Sequence, residues 1–115
     1  MKYTQINTRA YALSRIALFV ISAIDYEDPA DRKAIPDFLG IMVEQLDALV
    51  TAAHGADDFT ALVDAAALTK TAAKLYKPDC SDDVRDTVAS LLYQIEGLLV
   101  AASTDNYTGA GGQPT

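Results

Sequence analysis

The sequence predicts an all-α, single-domain four-helix bundle, antiparallel or orthogonal, and three observations predict it. Apolar residues recur at i, i+3, i+4 and i+7 through four successive segments. Turn signals made of proline, glycine and acidic residues separate those segments. No segment shows the period-two alternation, bounded by turns, that a half-buried strand requires. With 115 residues, half of them hydrophobic and 22% charged, the chain can bury one real core without disulfide or metal staples. The helices are expected at about 7–24, 36–54, 57–76 and 81–102. Residues 1–102 then form the helical domain, and 103–115 a flexible C-terminal tail.

Asn7 or Thr8 can cap the first helix, which runs through IALFVISAI (16–24) before an acidic stretch closed by Pro29. Pro36 suits the first position of the second helix, with Asp37 complementing its dipole; residues 29–35 offer a short extra turn before it. Its apolar stripe is Phe38, Leu39, Met42, Leu46, Leu49, Val50 and Ala53, and His54-Gly55 closes it. Asp57 and Asp58 open the third helix. Its apolar side reads Phe59, Leu62, Val63, Ala66, Ala73 and Tyr76, with alanines that let a neighbour approach closely. Ser81 caps the fourth, Asp82 and Asp83 occupy its first turn, and Val84, Val88, Leu91, Ile95, Leu98 and Ala102 form its stripe, widened by Leu92 and Leu99.

Composition excludes several functions. One cysteine, Cys80, and one histidine, His54, cannot build an ordinary structural zinc site or an internal disulfide framework. The three glutamates, Glu27, Glu44 and Glu96, include no Glu-x-x-His pair of the di-iron type. Asp79, Asp82 and Asp83 surround Cys80 with negative charge, which speaks against a nucleophilic role. No catalytic residue, metal or cofactor is therefore expected, and the chain reads as a non-enzyme. A formal charge of −7 argues against direct nucleic-acid binding. The apolar stretch 16–24 is too short to span a bilayer, so no membrane partner is expected and the location reads as cytoplasmic.

Two surfaces are left. Ile16, Leu18, Phe19, Val20, Ile21 and Ile24 cover almost the whole circumference of the first helix. In so small a domain such a helix is either central or covered on one side by another molecule. The second alternative makes Leu18, Phe19, Ile21 and Tyr26 an interface, and the protein a non-catalytic, homo-oligomeric interaction module, a homodimer in the simplest case. The other surface is acidic: Asp79, Asp82, Asp83 and Asp86. Capping and solubility explain it most plainly. The sharper reading is an inhibitor or regulator that covers a basic, nucleic-acid-handling site on a host protein, as small acidic helical proteins of phages and mobile elements do. A ligand-binding or enzymatic bundle is the third alternative. Lys70, Lys74 and Lys77 form one basic stripe near a helix C-terminus, where dipole complementarity accounts for them.

Overall fold

A computed structural model describes the backbone of residues 3–26, 29–53 and 60–111, and their side chains except at 3, 4, 26, 29, 31 and 105–111. It shows four α-helices: α1 (Tyr3–Tyr26), α2 (Pro29–Ala52), α3 (Thr60–Leu75) and α4 (Asp82–Gly111). No strand occurs among the described residues. The protein is an all-α four-helix bundle.

Helices adjacent in sequence pack on one another, and α1 closes the ring on α4; the diagonal pairs hardly meet. Ile24 and Asp25 from the end of α1 share one cleft with Asp82, Arg85 and Asp86 from the start of α4. Tyr76, just past α3, lies within electrostatic reach of Arg32 near the start of α2 and Arg85 near the start of α4. The ends of α1 and α3 therefore meet the starts of α2 and α4, an up-down-up-down arrangement. The bundle measures 47 × 20 × 20 Å, its length set by α4, the longest helix at 30 residues.

The core follows from the apolar stripes. From α1 it takes Ile6, Ala10, Leu13, Ala17, Val20, Ile21 and Ile24; from α2, Ile35, Leu39, Met42, Leu46 and Leu49. From α4 it takes Val88, Leu92, Ile95, Leu99 and Ala102. The α3 contribution is small-sided: Leu62, Ala65, Ala66 and Ala72, with buried Thr69 returning its hydroxyl to the Ala65 carbonyl at 2.7 Å. That bond keeps a polar oxygen satisfied inside an apolar layer.

Several sequence expectations are corrected. Asn7 is not a cap; it lies inside α1, buried. The helix α2 begins at Pro29, not Pro36, and Pro36 sits within it. Pro29 lacks the N–H that a first turn leaves without an intrahelical partner anyway, so it starts a helix well. Pro36 cannot donate to the carbonyl of Arg32, but helical continuity through it carries Ile35 into full burial. Val63 was expected in the core and is 53% exposed. Two helical steps from Ala65 turn it some 200° away from the buried side.

The described part of α3 starts at Thr60; the expected caps Asp57 and Asp58, with His54, Gly55 and Phe59, lie outside the described residues. The fourth helix does not stop at 102. Ser103 and Thr104 return their hydroxyls to the Val100 carbonyl at 2.7 and 2.9 Å, and the helical backbone continues to Gly111.

Candidate interaction surfaces

The first helix is neither central nor wholly covered. It occupies one corner of the bundle, with α2 and α4 as its neighbours. Its inward side is the row Leu13, Ala17, Val20, Ile21 and Ile24, whereas Tyr11 and Phe19 face outward and Ile16 and Leu18 are half-buried. Phe19 is 55% exposed, and its ring meets the edge of Phe38 on α2 at 5.4 Å between centroids, with 69° between planes. This is the favoured edge-to-face geometry of an aromatic pair.

One turn from Phe38, Ile41 is 46% exposed. One turn before Phe19 comes Ile16. Because α1 and α2 run antiparallel, both steps lead the same way along the bundle, so Ile16 and Ile41 come level. Ala12 on α1, exposed, continues the strip one turn further; on α2 the next exposed apolar residue, Ala48, comes two turns past Ile41, after the exposed Gln45. An apolar flank thus follows the α1–α2 seam, edged by Arg15 on α1 and by Asp37 and Glu44 on α2, all exposed.

Of the residues expected at an interface, Phe19 lies fully on this flank and Leu18 is half-buried on the α1 surface. Ile21 does not belong with them: it is turned into the core, two residues and some 200° from Phe19. The side chain of Tyr26 lies outside the described residues. Sequence reading missed half-buried Phe38 and exposed Ile41 as partners of Phe19 on this flank. Phe38 belonged to the α2 stripe, and its place at the margin of that stripe was the available signal.

The acidic surface lies at one end of the bundle. Asp79, Asp82, Asp83 and Asp86 are all exposed. The Ser81 hydroxyl accepts from the Val84 N–H at 3.3 Å, capping α4, while Asp82 and Asp83 sit in its first turn and Asp82 pairs with Arg85. Beside them, Ile24, Asp25, Asp82, Arg85 and Asp86 line a cleft of about 250 Å³. That is smaller than the ~300 Å³ at which sites for organic ligands begin.

Beneath this end, Tyr76 is 1% exposed and its hydroxyl makes no hydrogen bond to a protein group. Burial raises its pKa, as does the Cys80 thiol, while Arg32 and Arg85 pull it the other way. Cys80 is half-buried in a turn closed by its own N–H donating to the Lys77 carbonyl at 3.0 Å. Among the described residues no group of His, Cys, Asp and Glu side chains is placed to hold a metal ion.

The basic stripe is partly accounted for by α2, since Lys70 pairs with Asp47 at 3.1 Å. Among the described residues one stretch, Asp82–Thr104, is long and apolar enough to cross a membrane by length and composition alone. It is not the stretch 16–24 that the sequence singled out, and its inward row from Val88 to Ala102 supplies core. Comparison of the chain with known protein families, curated proteins and solved structures finds no match to any of them.

Proposed function

We propose that this protein is a non-catalytic helical interaction module of the cytoplasm that associates with itself through the α1–α2 flank. The observation that carries the reading is Phe19, an aromatic ring more than half exposed beside Phe38 and continued by Ile41. The monomer gains little by exposing this strip. Covering it removes apolar surface from water at about 25 cal/mol per Å².

Sedimentation equilibrium tests the reading. The wild type is expected at a multiple of 12.3 kDa at micromolar concentration. Phe19→Glu is expected at the monomer mass with unchanged helicity. A wild type that stays monomeric to high concentration overturns self-association.

The second reading is the acidic regulator of a basic, nucleic-acid-handling surface. It is favoured by the exposure of Asp79, Asp82, Asp83 and Asp86 at one end of a chain whose net charge is −7. A complex formed this way weakens steeply with salt and is lost when Asp82 and Asp83 are reversed. Binding that ignores salt overturns it.

A further inference from the structure

The flank carries opposite charges on its two edges, and this bears on what covers it. Between Ile6 and Ile24 the only charged residues of α1 are Arg9 and Arg15, both exposed. From Pro36 to the end of α2 the only charged residues are Asp37, Glu44 and Asp47, all exposed. Asp47 is turned to Lys70 of α3, so one edge of the apolar strip is basic at Arg15 and the other acidic at Asp37 and Glu44. A surface of that kind complements itself if it is turned so that each edge meets the opposite one.

Two rotations can lay such a flank face to face on a copy of itself. A two-fold axis across the helices sets α1 on α1 and α2 on α2, which brings like charges together. A two-fold axis along the helices sets α1 on the partner's α2, which brings unlike charges together. We infer that the occupant of the α1–α2 flank is a second copy of this chain, docked about a two-fold axis parallel to the helices with Arg15 facing Glu44 of the partner subunit. The inference rests on the self-association proposed above and adds its geometry.

The heights agree. Counting from the Phe19–Phe38 contact, Arg15 lies four residues along α1 and Glu44 six residues along α2, in the same direction because the helices are antiparallel. At 1.5 Å per residue these are about 6 and about 9 Å. Rotation about an axis along the helices preserves height, so the two charges meet within about 3 Å of level. Lysine and arginine side chains span that difference easily. The apolar strip of each copy then covers that of the other, with two symmetry-related Arg15–Glu44 contacts at the rim.

Charge exchange decides the matter. Arg15→Glu and Glu44→Lys, each made alone, are expected to weaken dimerisation on the order of tenfold, because each turns two attractive contacts repulsive. The doubly changed chain, Arg15→Glu with Glu44→Lys, is expected to dimerise like the wild type. Sedimentation at low and high salt reads all four proteins, with circular dichroism as the check on folding. A dimer broken by Phe19→Glu but indifferent to either charge change leaves self-association standing and overturns this geometry. Single changes that weaken the dimer without rescue in the double variant overturn it too. A monomeric wild type overturns both proposals at once.

Discussion

Two surfaces of this bundle are each dominated by one kind of residue, and the fold accounts for them unequally. At the end where α4 begins, the carboxylates have local tasks: Asp82 and Asp83 complement the helix dipole, and Asp82 pairs with Arg85 beneath a Ser81 cap. Along the α1–α2 flank, Phe19 and Ile41 have no comparable task. The inward rows of α1 and α2 would fill the core without them. A residue whose presence the fold already explains says little about function. A residue that the fold leaves unexplained, especially a large apolar one in water, points outward.

The contrast is sharpest within α1 itself. Ile21→Glu places a charge in the core and is expected to unfold the protein outright, a loss of more than about 4 kcal/mol in urea denaturation. Phe19→Glu, two residues away, is expected to leave a folded chain. Equal behaviour of the two variants would erase the distinction between flank and core.

Next in size is Pro36, just before Phe38 on the flank helix. Placed inside α2, it omits one hydrogen bond, so Pro36→Ala is expected to stabilise the protein by about 1 kcal/mol. Were the helix to begin at Pro36 instead, the same change would destabilise, and the denaturation midpoint tells the two apart. At the acidic end, Ser81→Ala is expected to cost about 1 kcal/mol through the lost cap.

The last prediction is confined to alkaline pH. Tyr76 has its pKa raised above the ordinary 10.0, first by burial and then by Cys80. Its contribution to stability is complete below pH 10 and is lost as pH rises from there through the folded-state value. Tyr76→Phe removes that dependence. At neutral pH it is expected to stabilise the protein by about 1 kcal/mol, because it removes a buried hydroxyl that makes no hydrogen bond to a protein group. Parallel pH titrations of thermal stability for the two proteins check both statements.

What could be read from the sequence depended on contrast between neighbouring residues. The row Leu39, Met42, Leu46 and Leu49 repeats at helical spacing, with Gly40, Glu44, Gln45 and Asp47 falling on other sides, and its burial was plain from that spacing. So was the Ser81 cap. In α1 that contrast fails: with apolar residues almost all round, period 3.6 cannot say whether Phe19 or Ile21 faces inward, and contact with α2 and α4 decides it. In α3 the inward side is defined by Ala65, Ala72 and Thr69, which carry too little apolar weight to outvote Val63. Pro36 was read by local preference as a helix start, whereas the burial of Ile35 favours a helix that passes through it. The pairing of Phe19 with Phe38 is a tertiary fact, and no spacing within either helix encodes it.

The ring of helices closes between α1 and α4, the most extensive of the four helix pairs and the one farthest apart along the chain. This order of contacts has a kinetic consequence. The α2–α3 and α3–α4 hairpins join neighbours through short connections and need little loop-closure entropy, so they are expected to form early. The α1–α2 pair has the shortest connection of all, whereas the α1–α4 seam must wait until the chain has brought its distant parts together. Truncations there, such as Leu13→Ala, are therefore expected to speed unfolding more than they slow folding in chevron measurements. On that account, the α1–α4 seam, the most extensive in the bundle, is also the last to close.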